Sequence, residues 1–211
     1  MCSFPLSSLK FKDETIFTTF GDKIYRFNHE SSPSISKVCI GDVLAAKSQD
    51  NDGSSIEENV QILAFHNWES ENKLIACDTR KNVLVYNAKD LKLEKIFLLH
   101  KPATAVIACT KSRTILVADR AGNVIRFDYD NGENFGKGTT ILGHVSVIFD
   151  LILSEDEKFL LTSDRDEKIR VSHFPNVYNI ESFCLGHKRY VFSLAWLQTT
   201  TEKNLLLSGS G

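Results

Sequence analysis

Three histidines recur along the sequence at nearly constant intervals, and imidazole can do chemistry at neutral pH. His100, His144 and His187 are separated by 44 and 43 residues, and the last two each follow a glycine. Such side chains could ligate a metal or act as general bases. A constant interval, however, is typical of a structural position that returns once in every repeat. We therefore expect His144 and His187 to brace their repeats through hydrogen-bonded rings, and we expect no metal site.

A second distinctive feature is the segment from Asp164 to Arg170, which holds three acidic and three basic residues in seven positions. One interpretation is a solvated loop, because exposed ion pairs contribute only about 0–1 kcal/mol each. The other is a protein-docking patch, because charge pairs that lose their water on binding can couple by roughly 1.5–7 kcal/mol. Composition alone leaves both interpretations open.

The sequence lacks the motifs of common catalytic and phosphate-binding sites. It contains no G-x-S-x-G, no G-x-x-x-x-G-K-[ST] and no H-E-x-x-H. The glycine-rich stretch at 131–138 lies between two repeats, and we interpret it as a connecting loop. We therefore predict that the chain is not an enzyme and binds no cofactor itself.

Composition and charge narrow the class further. The chain has 211 residues, of which 42% are hydrophobic and 25% charged, as in ordinary globular domains. Its net charge of −2 argues against a domain that binds nucleic acid unaided. Five widely spaced cysteines, without a Cys-x-x-Cys pair, favour neither a disulfide framework nor a zinc site. We find no signal peptide and no apolar run long enough to cross a membrane, so we expect a non-secreted protein without a membrane partner.

The elements that must position these residues are β-strands. Runs of β-branched and aromatic residues, joined by Asp, Asn, Gly, Lys and Arg turns, predict four hairpins. These hairpins are 16–27, 74–86, 114–127 and 159–171. Their second strands start 41 and 45 residues apart, except where a polar insert at 46–59 lengthens the first interval. A repeat of about 40–45 residues with four strands is typical of a β-propeller blade.

The predicted fold is therefore all-β, a β-propeller of WD-repeat type. We expect a single partial propeller over 1–211, with about four to five blades of the seven in a full ring and an end in mid-blade. Such blades are usually held by a network of His, Ser or Thr, Asp and Trp side chains. The pattern predicts His144, Thr162 and Asp166 in one blade, with Ser172 in the Trp position, and His187 with Ser208 in the next.

One part of the chain resembles a known family. The segments are Gly143 to Ser146, Phe159 to Ser172 (with the run SDRDEKIRVS) and Ile180 to His187 (with ESFCLGH). They resemble the WD-repeat non-catalytic subunit of tRNA (guanine-N7) methyltransferase. The resemblance implies a scaffold that forms a heterodimer with a separate catalytic subunit, and it implies a nuclear location. S-adenosylmethionine would be bound by the catalytic partner, and tRNA would be held mainly through that partner.

The resemblance also implies which residues bind the partner. They are Arg165, Asp166, Glu167, Lys168 and Arg170. Asp166 is expected to be structural first, whereas Glu167 and Lys168 can reach outward. Arg170 could offer a planar fork to a partner carboxylate or hold Glu167 in place. The alternative function is a generic WD-repeat adaptor in another complex, such as substrate presentation to a ubiquitin ligase.

Overall fold

A computed structural model describes residues 11–12, 15–28, 34–40, 60–130, 136–197 and 205–211. Nineteen β-strands occupy most of these residues. They are β1 (Phe11–Lys12), β2 (Thr15–Phe20), β3 (Lys23–Asn28), β4 (Ser34–Cys39), β5 (Ile62–Trp68), β6 (Lys73–Asp78), β7 (Asn82–Asn87), β8 (Leu93–Leu98), β9 (Ala103–Cys109), β10 (Thr114–Asp119), β11 (Asn123–Asp128), β12 (Gly136–Lys137), β13 (Thr139–Gly143), β14 (Ile148–Leu153), β15 (Phe159–Asp164), β16 (Ile169–His173), β17 (Ile180–Cys184), β18 (Val191–Leu197) and β19 (Leu205–Ser210). A 3-10 helix spans Glu69–Glu71.

The strands form successive antiparallel sheets, which we call blades. Blade 1 comprises β1 to β4, blade 2 comprises β5 to β8, blade 3 comprises β9, β10, β11 and β13, and blade 4 comprises β14 to β17. The short strand β12 adds to blade 2 in parallel with β8, and β18 pairs with β19 as a fifth, two-stranded sheet. The sheets follow one another in chain order: β5 of blade 2 contacts β9 of blade 3, β9 contacts β14 of blade 4, and β14 contacts β18 of the fifth sheet. The architecture is an incomplete β-propeller, as the repeat interval predicted.

All four predicted hairpins are present, as β2–β3, β6–β7, β10–β11 and β15–β16. The second strands of blades 2, 3 and 4, which are β6, β10 and β15, are buried on both faces because each of these blades is covered by its neighbours. In β10 every residue is buried, and in β6 only Lys73 is partly exposed. This two-sided burial explains the nearly continuous apolar runs of these strands.

The core lies between the blades rather than inside any one of them. One apolar cluster joins blades 2 and 3 around Trp68, Phe97 and Phe127, and another joins blades 3 and 4 around Leu116 and Ile148. Each blade therefore depends on its neighbours for burial, as in other repeat architectures.

The predicted polar insert at 46–59 lies outside the described residues. Among the residues that are described, no helix has the length and apolarity needed to span a membrane.

Candidate partner-binding cleft

The turns between the second and third strands of blades 2, 3 and 4 share one construction. Each follows a buried aspartate, and these are Asp78, Asp119 and Asp164. Asp119 Oδ1 accepts the backbone N–H groups of Ala121 and Asn123, both at 2.9 Å. Asp164 Oδ1 accepts those of Asp166 at 2.9 Å and Lys168 at 3.2 Å. A carboxylate that accepts several backbone N–H groups fixes the turn it precedes.

Blade 4 differs from blades 2 and 3 in the partner of the second carboxylate oxygen of this aspartate. In blades 2 and 3 the second carboxylate oxygen accepts the side-chain amide of Asn82 or Asn123. Lys168 stands at the equivalent position in blade 4. There the second oxygen of Asp164 lies 2.9 Å from His144 Nδ1 instead, and His144 Nε2 lies 2.8 Å from Thr162 Oγ1.

These contacts define the protonation of the ring. A carboxylate only accepts, so Nδ1 carries the proton and Nε2 accepts from the Thr162 hydroxyl. Burial lowers the pKa of His144, and nearby Arg170 and Lys168 lower it further, while Asp164 opposes the shift. The neutral imidazole is thus a bridge between the start of blade 4 and its second strand.

The prediction that Asp166 faces His144 is wrong, because Asp164 occupies that place. Asp166 is exposed, and its carboxylate lies 3.8 Å from Arg165 Nε. The sequence carries a signal for the correct residue, since aspartate recurs at 78, 119 and 164, the blade interval. Position 166 has only Arg80 and Ala121 as its counterparts.

The second predicted pair is brought together in the next sheet. His187 Nε2 lies 2.7 Å from Ser208 Oγ. Both residues are exposed or nearly so, unlike the buried His144 ring.

We call residues 164–170 the docking hairpin. Its tip presents four exposed side chains, those of Arg165, Asp166, Glu167 and Lys168. Glu167 has a left-handed backbone conformation with φ of 71°. Its counterparts Lys81 and Gly122 are also left-handed, with φ of 67° and 86°. The turn therefore keeps one backbone shape across three blades while its exposed side chains differ.

Arg170 lies behind the tip and makes its contacts within the protein. Its Nε donates to Ser172 Oγ at 2.9 Å, and a terminal nitrogen donates to the Val177 carbonyl at 2.9 Å. The other terminal nitrogen lies 3.4 Å from the Gly143 carbonyl. Partial burial lowers the pKa of Arg170, although a guanidinium stays charged at neutral pH. Among the described residues no carboxylate accepts from it, so the interpretation that it holds Glu167 in place is wrong.

A cleft of about 340 Å³ opens beside the docking hairpin. One wall carries Asp164, Asp166, Lys168 and Arg170, and the strand connection at Gly143 and His144 forms part of the lining. The remaining wall is apolar and consists of Val145, Phe183 and Leu185. All three apolar side chains are exposed. No pattern in the sequence singles them out, because they are brought together only by the stacking of blades 3 and 4.

Gly122 allows the rim of this cleft to form. It has φ of 86°, and a Cβ at this position would lie 2.5 Å from the Ser146 carbonyl oxygen and 2.8 Å from that of His144. The Gly122 carbonyl also accepts the His144 N–H at 2.8 Å. Only glycine fits this close approach, which sets the strand connection that leads to Val145.

The described part of the chain holds no group of three His, Cys, Asp or Glu side chains arranged to bind a metal. The geometry instead offers a rigid charged tip, a partly buried cation and an apolar wall around one cleft. These features are suited to recognition of another protein.

Comparison with known proteins is consistent with this geometry. Residues 128–211, which include blade 4 and the docking hairpin, match the family described as "tRNA methyltransferase TRM82 WD40 domain". A relative from Aedes aegypti, named tRNA (guanine-N(7)-)-methyltransferase non-catalytic subunit wuho, is 32% identical over 168 residues, covering 75% of this chain and 41% of the relative. The subunit named WDR4 from Homo sapiens is 35% identical over 168 residues, covering 78% of this chain and 40% of that protein. The chain thus spans about two fifths of the length of these relatives.

One structural comparison supports the fold alone. A chain in a crystal structure of the mitotic checkpoint complex superimposes with a TM-score of 0.75 at 16% identity. The alignment covers 98% of this chain and 58% of the other.

Proposed function

We propose that this chain belongs to the family of WD-repeat non-catalytic subunits of tRNA (guanine-N7) methyltransferase, and that it binds and stabilises the catalytic subunit of such an enzyme. The docking hairpin is the proposed contact, with Arg165, Asp166, Glu167 and Lys168 reaching the partner. The complex is a heterodimer, and its product is N7-methylguanine in tRNA.

The observation that carries this proposal is the rigid presentation of the hairpin tip. Asp164 fixes the turn from below through two backbone N–H groups, and His144 holds Asp164. Exposed charges on a fixed backbone lose little conformational freedom when a partner binds, so more of the interaction energy contributes to affinity. A flexible solvated loop would lack this support.

The division of labour follows from the same proposal. The relatives are named non-catalytic, and we propose that this chain likewise leaves the methyl transfer to its partner. S-adenosylmethionine then belongs to the catalytic subunit, and tRNA is held mainly there, in keeping with the net charge of −2 of this chain. We also propose a nuclear location for the complex.

The proposal is tested by reversing one charge of the tip. Lys168→Glu should weaken binding to the catalytic subunit of the same organism by at least about tenfold, as expected when one desolvated charge pair is lost. Lys92→Glu is the matched control, because Lys92 is also highly exposed, with 81% of its side chain accessible, but lies in blade 2. Binding is measured by titration of the purified proteins. Equal affinity of the wild-type chain and both variants would contradict the docking role, as would the absence of binding by the wild type.

A further inference from the structure

The cleft beside the docking hairpin has an apolar wall that the charged residues do not explain. Val145 is fully exposed, Phe183 retains 45% of its accessible surface and Leu185 retains 68%. The three side chains line one cleft although Val145 is about forty residues from the other two. Isolated apolar side chains are common on protein surfaces, but a contiguous group beside charged residues is typical of an interaction site.

The position of this wall follows from the strand register of blade 4. Thr162, Arg170 and Phe183 lie opposite one another across β15, β16 and β17, so their side chains project from the same face of the sheet. Thr162 contacts His144, which follows the last strand of blade 3. The face that carries Phe183 therefore looks toward blade 3, and the cleft lies between two blades that each have four strands.

The polar wall holds two cations, Lys168 and Arg170, and two carboxylates, those of Asp164 and Asp166, so its formal net charge is zero. In the part of the chain that the structure describes, however, neither cation forms an ion pair. Arg170 donates only to a hydroxyl and two carbonyl groups. Among the described residues, no acidic side chain is within ion-pair distance of Lys168 Nζ. Both oxygens of Asp164 accept hydrogen bonds, from His144 and from the turn, and the carboxylate of exposed Asp166 lies 3.8 Å from Arg165 Nε.

Ser172 makes this arrangement possible. It is fully buried, and its hydroxyl accepts from Arg170 Nε. A large ring at position 172 would occupy the space that the guanidinium uses, so the small side chain leaves Arg170 against the cleft.

We propose that this cleft receives an apolar side chain of the catalytic subunit that is flanked by a carboxylate. The apolar side chain packs against Val145, Phe183 and Leu185, and the carboxylate meets Lys168 and Arg170. An apolar anchor surrounded by charged groups that exclude water is the usual arrangement at the centre of an interface. This inference rests on the proposed function, because it names the chemistry of the partner at the same site.

The apolar part is tested by Leu185→Asp with Ile35→Asp as a matched control. Leu185 and Ile35 each retain 68% of their accessible surface, but Ile35 lies in blade 1, away from the cleft. We expect Leu185→Asp to weaken binding to the catalytic subunit at least tenfold and Ile35→Asp to bind within twofold of the wild type. If Leu185→Asp also lowers the melting temperature, fully exposed Val145→Asp replaces it with the same expected loss.

A readout that does not depend on stability completes this test. A photoreactive benzoylphenylalanine at position 185 should crosslink to the catalytic subunit, and the same group at position 35 should not. The inference is overturned, with the proposed function intact, if Leu185→Asp and Val145→Asp bind like the wild type while Lys168→Glu does not. Wild-type affinity for all three would overturn both.

The carboxylate is tested by ionic strength. Removing the charge with Lys168→Met should reduce the loss of affinity that the wild-type complex shows between low and high NaCl concentration. An unchanged salt dependence would overturn the assignment of a carboxylate to the partner.

Discussion

Asp164 joins His144 to the tip of the docking hairpin: one carboxylate oxygen lies 2.9 Å from His144 Nδ1, and the other accepts the Lys168 N–H at 3.2 Å. The residue that braces the blade is therefore also the residue that shapes the proposed contact surface. Substitution of Asp164 should therefore change stability and partner binding together, whereas substitutions of exposed side chains at the tip can separate the two properties.

The first prediction concerns the two aspartates of the hairpin. Asp164→Ala should lower the free energy of unfolding by at least about 2 kcal/mol, because it leaves buried His144 and two backbone N–H groups without their acceptor. Asp166→Ala, at an exposed position, should change it by no more than about 0.5 kcal/mol. Urea unfolding of both variants measures the difference. Equal costs, or a larger cost for Asp166→Ala, would show that the assignment of the brace to Asp164 is wrong.

Glu167→Gly should separate binding from folding. Glu167 has φ of 71°, a conformation that disfavours non-glycine residues by about 1–2 kcal/mol, whereas glycine adds about 0.4–1 kcal/mol of entropy to the unfolded chain. We expect a melting temperature equal to or slightly above that of the wild type and a weaker complex with the catalytic subunit. Lys81→Gly, with φ of 67° in blade 2, should show the same thermal behaviour with unchanged affinity. Loss of stability in both variants would contradict backbone strain at positions 81 and 167. Unchanged binding of Glu167→Gly would contradict a contact between Glu167 and the catalytic subunit.

Arg170→Leu should affect both properties, because the guanidinium donates to Ser172 and Val177 in its own blade. We expect a loss of about 1–3 kcal/mol in the free energy of unfolding, together with weaker partner binding. Arg170→Lys retains the charge without the planar fork and should lose less affinity than Arg170→Leu. Chemical denaturation and binding titration measure the two effects. A fully stable Arg170→Leu variant would show that the internal contacts contribute nothing.

Asp150 predicts a pH dependence. Its carboxylate accepts the Leu151 N–H at 2.9 Å and the Leu194 N–H of the next sheet at 2.8 Å, and burial raises its pKa from 3.8 to about 6. Between these values the folded state binds more protons than the unfolded state. The contribution of Asp150 to stability is therefore full below pH 3.8 and is lost as the pH rises through about 6, by up to about 3 kcal/mol.

The measurement is a comparison of the wild type with Asp150→Asn. The melting temperature of the wild type relative to that of the variant should be higher near pH 4.5 than near pH 7. His144 titrates with the opposite sign, because its lowered pKa removes stability as the pH falls below its ordinary value of 6.5. That contribution is common to both proteins and cancels in the difference. A difference that does not change with pH would contradict the raised pKa of Asp150.

The hairpins and the repeat interval could be predicted from the sequence because they depend on local pattern. Alternation of β-branched residues and turn residues between 74 and 86 already specifies β6 and β7. That Asp164, and not Asp166, contacts His144 could have been predicted from the interval that Asp164 shares with Asp78 and Asp119. The local pattern of the turn does not distinguish the two aspartates. In blade 3 the second oxygen of Asp119 accepts the side chain of Asn123. Blade 4 has Lys168 in place of that asparagine, so the second oxygen of Asp164 is left for His144.

The apolar wall of the cleft was beyond sequence reasoning for a different reason. Val145 belongs to a strand connection, whereas Phe183 and Leu185 lie on and just after an outer strand. Only the stacking of blades brings them together, and no local periodicity records that contact. The internal acceptors of Arg170 likewise depend on where Val177 and Gly143 are placed by the fold.

The most direct test of the central claim is co-expression of this chain with the tRNA (guanine-N7) methyltransferase catalytic subunit of the same organism. Size-exclusion chromatography with light scattering then gives the mass of each peak. We predict a single peak with the mass of a one-to-one complex for the wild type, and a smaller share of that peak for Lys168→Glu at the same protein concentration. Elution of the wild-type chain and the catalytic subunit as two separate species would contradict the proposed function.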